Sequence, residues 1–192
     1  MFEVRIHGRG GQGAVTAAEL LSVAAFAEGW HAQAFPTFGS ERTGAPVVAF
    51  CRFDDKPIRI HEPIARPDAV LIQDPTLLHQ VKVFEGVGQD AYVLVNTARS
   101  LTELGLGELV EELQPGRMTT VPATALAREH LGRPLPNTAL LGGFAALTGK
   151  VSVDAVADAV RQRFRGQVAE GNVAAVRAAY EHVRTAKEQA DA

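Results

Sequence analysis

Apolar and polar residues alternate from Phe2 to His7, a two-residue period that predicts a β-strand ending at Gly8. Gly8 to Gly13 is a loop. From Ala14 to Glu28 the period lengthens: Ala14, Ala18, Leu21 and Ala25 share one stripe, predicting an alanine-rich helix able to lie close to a sheet, with Gly29 placed to end it. His31 to Phe35 reads as a second strand, and Pro36 to Pro46 as a loop by its prolines and glycines. Val47 to Phe53 and Lys56 to Ile60 flank Asp54-Asp55, which is the pattern of a hairpin. Ala69 to Gln73 and Ala91 to Val95 are unbroken apolar runs, as in strands buried on both faces, and each gives way to a polar residue, Asp74 or Asn96, where parallel strands often hand over to functional loops. Met118 to Val121 is a further strand candidate.

Beyond Pro122 the period is helical. Helices are expected at Ala123 to Leu131 and at Asn137 to Thr148. Ser152 caps another that carries Val153, Val156, Ala157, Val160 and Phe164, and a last one starts at about Asn172 with Val173, Val176, Tyr180 and Val183 on one face. Lys187 to Ala192 reads as a frayed tail. The expected fold class is α/β in three layers: a mixed, mainly parallel sheet with flanking helices and a helical C-terminal part. One domain is expected over residues 1–192, its α/β core at about 1–122 and its helical part at about 123–192.

Composition narrows the function classes. The 192 residues are 46% hydrophobic and 21% charged, as in a globular domain, and the net charge of -3 gives no general attraction to nucleic acid or to an anionic membrane. No run approaches the roughly 18 apolar residues of a membrane span, and Met1 leads directly into a strand rather than into a signal peptide, so the chain reads as cytoplasmic. Cys51 is the single cysteine and lies in the apolar run Val47 to Cys51, so it reads as a small buried hydrophobe; alone it holds neither a cluster nor a structural zinc. His7, His31, His61, His79, His130 and His182 show no metal-ligand spacing, Ser40 lacks the setting of a nucleophile elbow, and Arg161 to Arg165 reads as a solvated helix face with Phe164 turned inward. No catalytic or metal-binding residue is expected.

Gly8-Arg9-Gly10-Gly11-Gln12-Gly13 matches G-x-G-x-x-G between a strand and a helix, which raises a dinucleotide reading. That reading needs an acid closing the second strand to hold a ribose, and His31 to Phe35 offers none. A P-loop fits less well, since Ala14-Val15 stands where Lys-Ser/Thr belongs. The glycines then make either a tight turn or a contact with a ligand or partner at a helix start. A stand-alone nucleotide-binding oxidoreductase is the alternative kept open, beside a plain scaffold.

The same loop and its alanine-rich helix resemble the opening of the γ subunit of pyruvate and 2-ketoisovalerate:ferredoxin oxidoreductases. Gly39-Ser40-Glu41-Arg42-Thr43-Gly44 is similar to the family's G-x-E-x-R-G-G loop, with Glu41 and Arg42 adjacent and Thr43 in place of one glycine. Asn137 ahead of Leu140-Leu141-Gly142-Gly143, and Asn172 in the closing helix, extend the likeness along nearly the whole chain. The resemblance implies a non-catalytic γ subunit of a CoA-acylating 2-oxoacid:acceptor oxidoreductase. Its partners would be α-, β- and δ-type subunits, with ferredoxin or another electron acceptor. Thiamine diphosphate, Mg²⁺ and [4Fe-4S] clusters are expected on those other chains, CoA as co-substrate, and no cofactor on this chain alone. Gly8, Arg9, Gly10, Gly11, Gln12 and Gly13, with Gly39, Glu41 and Arg42, are the candidate contact residues. Both loops are expected at one end of the sheet, facing the α subunit and the CoA approach, where Arg42 would meet a phosphate or carboxylate.

Overall fold

A computed structural model describes residues 1–37 and 43–190. Its strands and helices run in the order β1 (Phe2–Arg9), α1 (Ala14–Ala27), β2 (His31–Pro36), β3 (Pro46–Asp54), β4 (Ala69–Ile72), a 3₁₀ turn (Pro75–His79), β5 (Tyr92–Asn96), α2 (Gly107–Glu112), β6 (Met118–Val121), α3 (Ala123–Leu131), α4 (Asn137–Thr148), α5 (Val153–Arg163) and α6 (Gly166–Ala190). The six strands form one sheet in the order β2-β3-β1-β4-β5-β6. From β1 through β6 the pairs are parallel, whereas β3 runs antiparallel to both β1 and β2. The α/β class and mixed, mainly parallel sheet expected from the sequence are thus found.

The alternation in β1 and β3 divides the sheet's two faces. Val4 and Ile6, with Ala49, Cys51 and Phe53, point to the side covered by α1, α4, α5 and α6, and that layer holds the main core. The alanines of α1 let it seat directly on the strands: Ala17, Ala18, Ala24 and Ala25 are all buried. On the other face Val70, Ile72, Val93 and Val95 pack under Leu77, Val83 and Leu113. Buried Cys51 has a thiol pushed far above its ordinary range by desolvation, as expected of a small hydrophobe.

Three sequence expectations change. Lys56 to Ile60 forms no strand, so there is no hairpin around Asp54-Asp55. Both edges of β3 are already taken by β1 and β2, and Pro57, Pro63 and Pro67 deny the next segment a regular ladder. That segment instead straps the second face: Arg52, buried beneath it, donates to the Ile60 and Glu62 carbonyls and pairs with Glu3 at 2.6 Å. The last helix begins at Gly166, six residues ahead of Asn172, because buried Ala169 extends the stripe of Val173 and Val176 toward the N-terminus. Lys187 to Ala190 is helix rather than frayed tail, continuing a segment in which Arg184 pairs with Glu181 and Glu188 one turn away on either side. The Ser152 cap is found, its hydroxyl accepting from Ala155 N at 3.0 Å.

Beneath the strap and the loops beside it, His7 Nε2 accepts from Arg5 Nε at 3.0 Å, while Arg5 also donates to the Val83 and Glu85 carbonyls. Burial, and secondarily the Arg5 charge, hold His7 down to about 3. An unfolded histidine titrates at about 6.5, so between the two values the unfolded chain takes up a proton that the folded chain refuses. Stability should be complete above about pH 6.5 and fall as the pH drops below it, by up to about 1.4 kcal/mol per pH unit from this group. Urea unfolding of the wild type and of His7→Gln at about pH 7.5 and about pH 5.5 should show a steeper loss in the wild type. Equal losses would place the acid sensitivity elsewhere.

Candidate functional site

β1 ends in the glycine loop, and the loop's backbone fixes its neighbours. Gly10 N donates to the Ala45 carbonyl at 2.9 Å, and Gly44 N donates to the Gly10 carbonyl at 3.0 Å. A single β-bridge joins Gly10 to Thr43. The Gly8–Gly13 loop therefore lies against the described end of the second loop, at the carboxyl end of β1. Gly39, Glu41 and Arg42 fall outside the described residues.

Arg9 and Gln12 face inward to the chain. Arg9 donates to Asp74 Oδ2 at 3.0 Å, the Gly44 carbonyl at 3.0 Å, Thr76 Oγ1 at 2.6 Å and Gln80 Oε1 at 2.7 Å. Gln12 Oε1 accepts from Arg9 N at 2.8 Å, and Gln12 Nε2 donates to Asp74 Oδ2 at 2.9 Å. Asp74 and Asn96, the polar residues closing two parallel strands, are likewise used internally. Asp74 caps the 3₁₀ turn through Thr76 N. Asn96 holds Thr124 N and Oγ1 at the start of α3, together with the Gln73 carbonyl.

What the loop leaves open lies on its helix side. Gly11, Gly13 and Thr16 form one wall of a cleft of about 530 Å³. The opposite wall comes from the α3–α4 connection, with Leu131, Arg133, Leu135 and Asn137, and from the α5–α6 junction, with Arg163, Phe164, Gln167, Val168 and Asn172. Besides α6, two helices start at this cleft, α1 after Gly13 and α4 after Pro136, and neither of these two starts has a side-chain cap. Their first N–H groups lack intrahelical partners, and both macrodipoles put positive charge there. Two guanidinium groups, uncapped amides and apolar side chains make a cleft suited to an anionic molecule with an apolar arm.

The cleft's floor is tied together by asparagines. Asn137 Nδ2 reaches the Gly13 carbonyl at 3.4 Å, and Asn172 accepts from Thr138 Oγ1 at 2.7 Å while donating to the Val168 carbonyl at 2.8 Å. Of the sequence candidates, Gly11 and Gly13 line the cleft, whereas Arg9 and Gln12 support it from behind. Arg133 carries no signal in the sequence. Arg163 sits in the run read as a solvated face, and only the turn into α6 brings it and Phe164 round to the glycine loop. Asn137 and Asn172 had a signal, their place in the resemblance.

The family model for pyruvate ferredoxin/flavodoxin oxidoreductase matches residues 3–182. The chain belongs to this family. It is 49% identical over 183 residues to the pyruvate/ketoisovalerate oxidoreductases common subunit gamma of Pyrococcus abyssi, covering 94% of this chain and 96% of that one. It is 46% identical over 184 residues to pyruvate synthase subunit PorC of Methanothermobacter marburgensis, covering 96% and 98%. The crystal structure of pyruvate oxidoreductase subunit PORC from Thermotoga maritima superposes with a TM-score of 0.79 at 35% identity, covering 94% of this chain and 95% of that one. The γ-type resemblance read from the glycine loop thus extends over the full fold.

The metal and cluster groups that the resemblance implies for the complex find less here. Among the described residues no cluster of three or more His, Cys, Asp or Glu side chains is placed to hold a metal. Cys51 lies inside the main core and offers no thiolate to a cluster. The described residues do not fit an iron–sulfur centre. No described helix is long and apolar enough to cross a membrane.

Proposed function

We propose that this chain is the non-catalytic γ subunit of a CoA-acylating 2-oxoacid:acceptor oxidoreductase, contributing to assembly and to the CoA approach. The observation that carries this reading is the cleft, where two uncapped helix starts and the guanidinium groups of Arg133 and Arg163 meet an apolar wall. CoA pairs phosphates with a long pantetheine arm, and such a cleft suits both halves. Thiamine diphosphate, Mg²⁺ and [4Fe-4S] clusters belong, on this reading, to α-, β- and δ-type partners, and ferredoxin or another acceptor receives the electrons in the cytoplasm. The Pyrococcus relative is named as a subunit common to pyruvate and ketoisovalerate enzymes, which supports leaving the choice of 2-oxoacid to the other chains. Exposed Phe26 and Val168 are available to a partner surface.

The stand-alone dinucleotide reading loses ground on topology. β2 does not pair with β1: β3 lies between them, and β2 closes at Phe35-Pro36 without an acid. Among the described residues the carboxylate beside the glycine loop is Asp74 at the end of β4, and its oxygens are taken by Arg9, Gln12 and Thr76.

The test is the assembled enzyme carrying Arg133→Ala and Arg163→Ala. Losing charge-assisted contacts of about 1.5–3 kcal/mol should raise the KM for CoA by about tenfold or more, with the KM for the 2-oxoacid little changed. Unchanged CoA kinetics in the double variant would remove CoA from this cleft.

A further inference from the structure

We propose that Asp74 is a positioning residue for the CoA approach: from the end of β4 its carboxylate sets the glycine loop that forms one wall of the cleft. The proposal rests on the reading that the cleft admits CoA. Asp74 does not line that cleft, so whatever it contributes passes through the residues it holds.

Three observations converge on it. First, one oxygen, Oδ2, accepts from both Arg9 Nε at 3.0 Å and Gln12 Nε2 at 2.9 Å, residues that bracket Gly10 and Gly11. Gln12 closes the bracket by donating N to the Arg9 carbonyl at 3.0 Å and accepting from Arg9 N through Oε1. Second, the other oxygen is anchored, since Oδ1 accepts from Thr76 N at 3.0 Å and Thr76 Oγ1 at 2.6 Å. The carboxylate thus has one fixed edge and one that steers. Third, the Arg9 it orients reaches across to the Gly44 carbonyl at 3.0 Å, so the same charge fixes how the two loops meet. Burial alone would raise the Asp74 carboxyl, but hydrogen bonds from Thr76 and Gln12 and the Arg9 charge overcome that and hold it below the ordinary carboxylate range. It stays ionised, and an anion is what two converging donors require.

Asp74→Asn keeps the size and removes the charge. An amide nitrogen facing Arg9 and Gln12 sets donor against donor, and the opposite rotamer gives up Thr76 instead. The loop loses its register while the strand beneath it is untouched. Gln12→Met, at a half-buried position, removes the bond from Gln12 Nε2 to the same oxygen and the one from Arg9 N to Gln12 Oε1, and leaves the carboxylate charge in place.

The experiment is steady-state kinetics of the assembled oxidoreductase carrying Asp74→Asn, Gln12→Met and both. The expected result is a KM for CoA raised about tenfold by Asp74→Asn and about threefold by Gln12→Met, with kcat and the 2-oxoacid KM within about twofold of wild type. The double variant should fall well short of the product of the two single effects, because both changes loosen the same bracket around Gly10 and Gly11. If these variants leave the CoA KM unchanged while Arg133→Ala with Arg163→Ala raises it, Asp74 has no positioning role and the cleft reading stands. If none of the four substitutions moves it, the cleft reading itself falls. If Asp74→Asn prevents assembly, Gln12→Met decides: a CoA-specific rise supports the proposal, and a uniform loss in every constant, or none, overturns it.

Discussion

Gly142→Val is expected to destabilise the chain by about 3 kcal/mol or more, the upper end of what overpacking costs. Gly142 lies within α4, and a Cβ built there would sit 2.0 Å from the Val176 carbonyl oxygen and 2.7 Å from its carbon. The obstacle is the backbone of α6, which no rotamer change relieves, so the two helices must separate. They carry opposite parts of one site: α4 begins with Asn137, and α6 holds Gln167, Val168 and Asn172. Guanidinium unfolding should show a midpoint shifted strongly downward with the slope kept, and incorporation into the complex should fail. Gly107→Ala is the control. Nothing lies within 4 Å of its Cβ position, and its stability should stay within about 0.5 kcal/mol of wild type. If Gly142→Val were equally silent, α4 and α6 would not be in the close contact seen here.

The fold was legible where a single period governs a segment. β1, α1 and α5 follow from alternation or from a stripe of small or apolar residues, because each is held by burial of its own pattern. The hairpin expectation failed because alternation gives a strand's faces and not its partners. Lys56 to Ile60 has an acceptable pattern, yet β3's edges go to β1 and β2, whose claims come from residues far along the chain. The second sheet face shows the same limit. A 3₁₀ turn, α2 and irregular chain cover it, held by Arg5 and Arg52 reaching backbone carbonyls that no local pattern encodes.

The site divides along similar lines. The glycine loop stood out because strand, glycines and helix adjoin in sequence, and Gly11 and Gly13 do border the cleft. Arg133 and Arg163 could not be found that way. Each resembles any exposed arginine until α3, α4, α5 and α6 fold against one another and bring two helix connections opposite one loop. Arg9, a candidate for ligand contact, turned out to be spent on Asp74, Gly44, Thr76 and Gln80, since a charged residue beside a loop binds whatever the neighbouring strand ends present first.

Gly13→Val should impair both stability and CoA use, because this residue is at once the turn into α1 and the wall of the cleft. Its φ of 74° is left-handed, a conformation that costs an ordinary L residue about 1–2 kcal/mol and a β-branched one more. A Cβ at Gly13 would also lie 2.5 Å from Asn137 Nδ2, in a side chain confined at the start of α4. Relief requires Asn137 to swing away, breaking its bond to the Gly13 carbonyl and tilting two uncapped helix starts apart. A loss of about 2–4 kcal/mol is expected in urea unfolding, together with a CoA KM raised about tenfold or more in whatever complex still assembles. Asn137→Ala on the Gly13→Val background separates the two causes. It removes the clash but not the strain, so it should restore part of the stability and little of the CoA affinity, since the cleft then lacks its asparagine. Full recovery of CoA use in that double variant would mean that crowding alone had distorted the cleft and that Asn137 contributes nothing to holding it open.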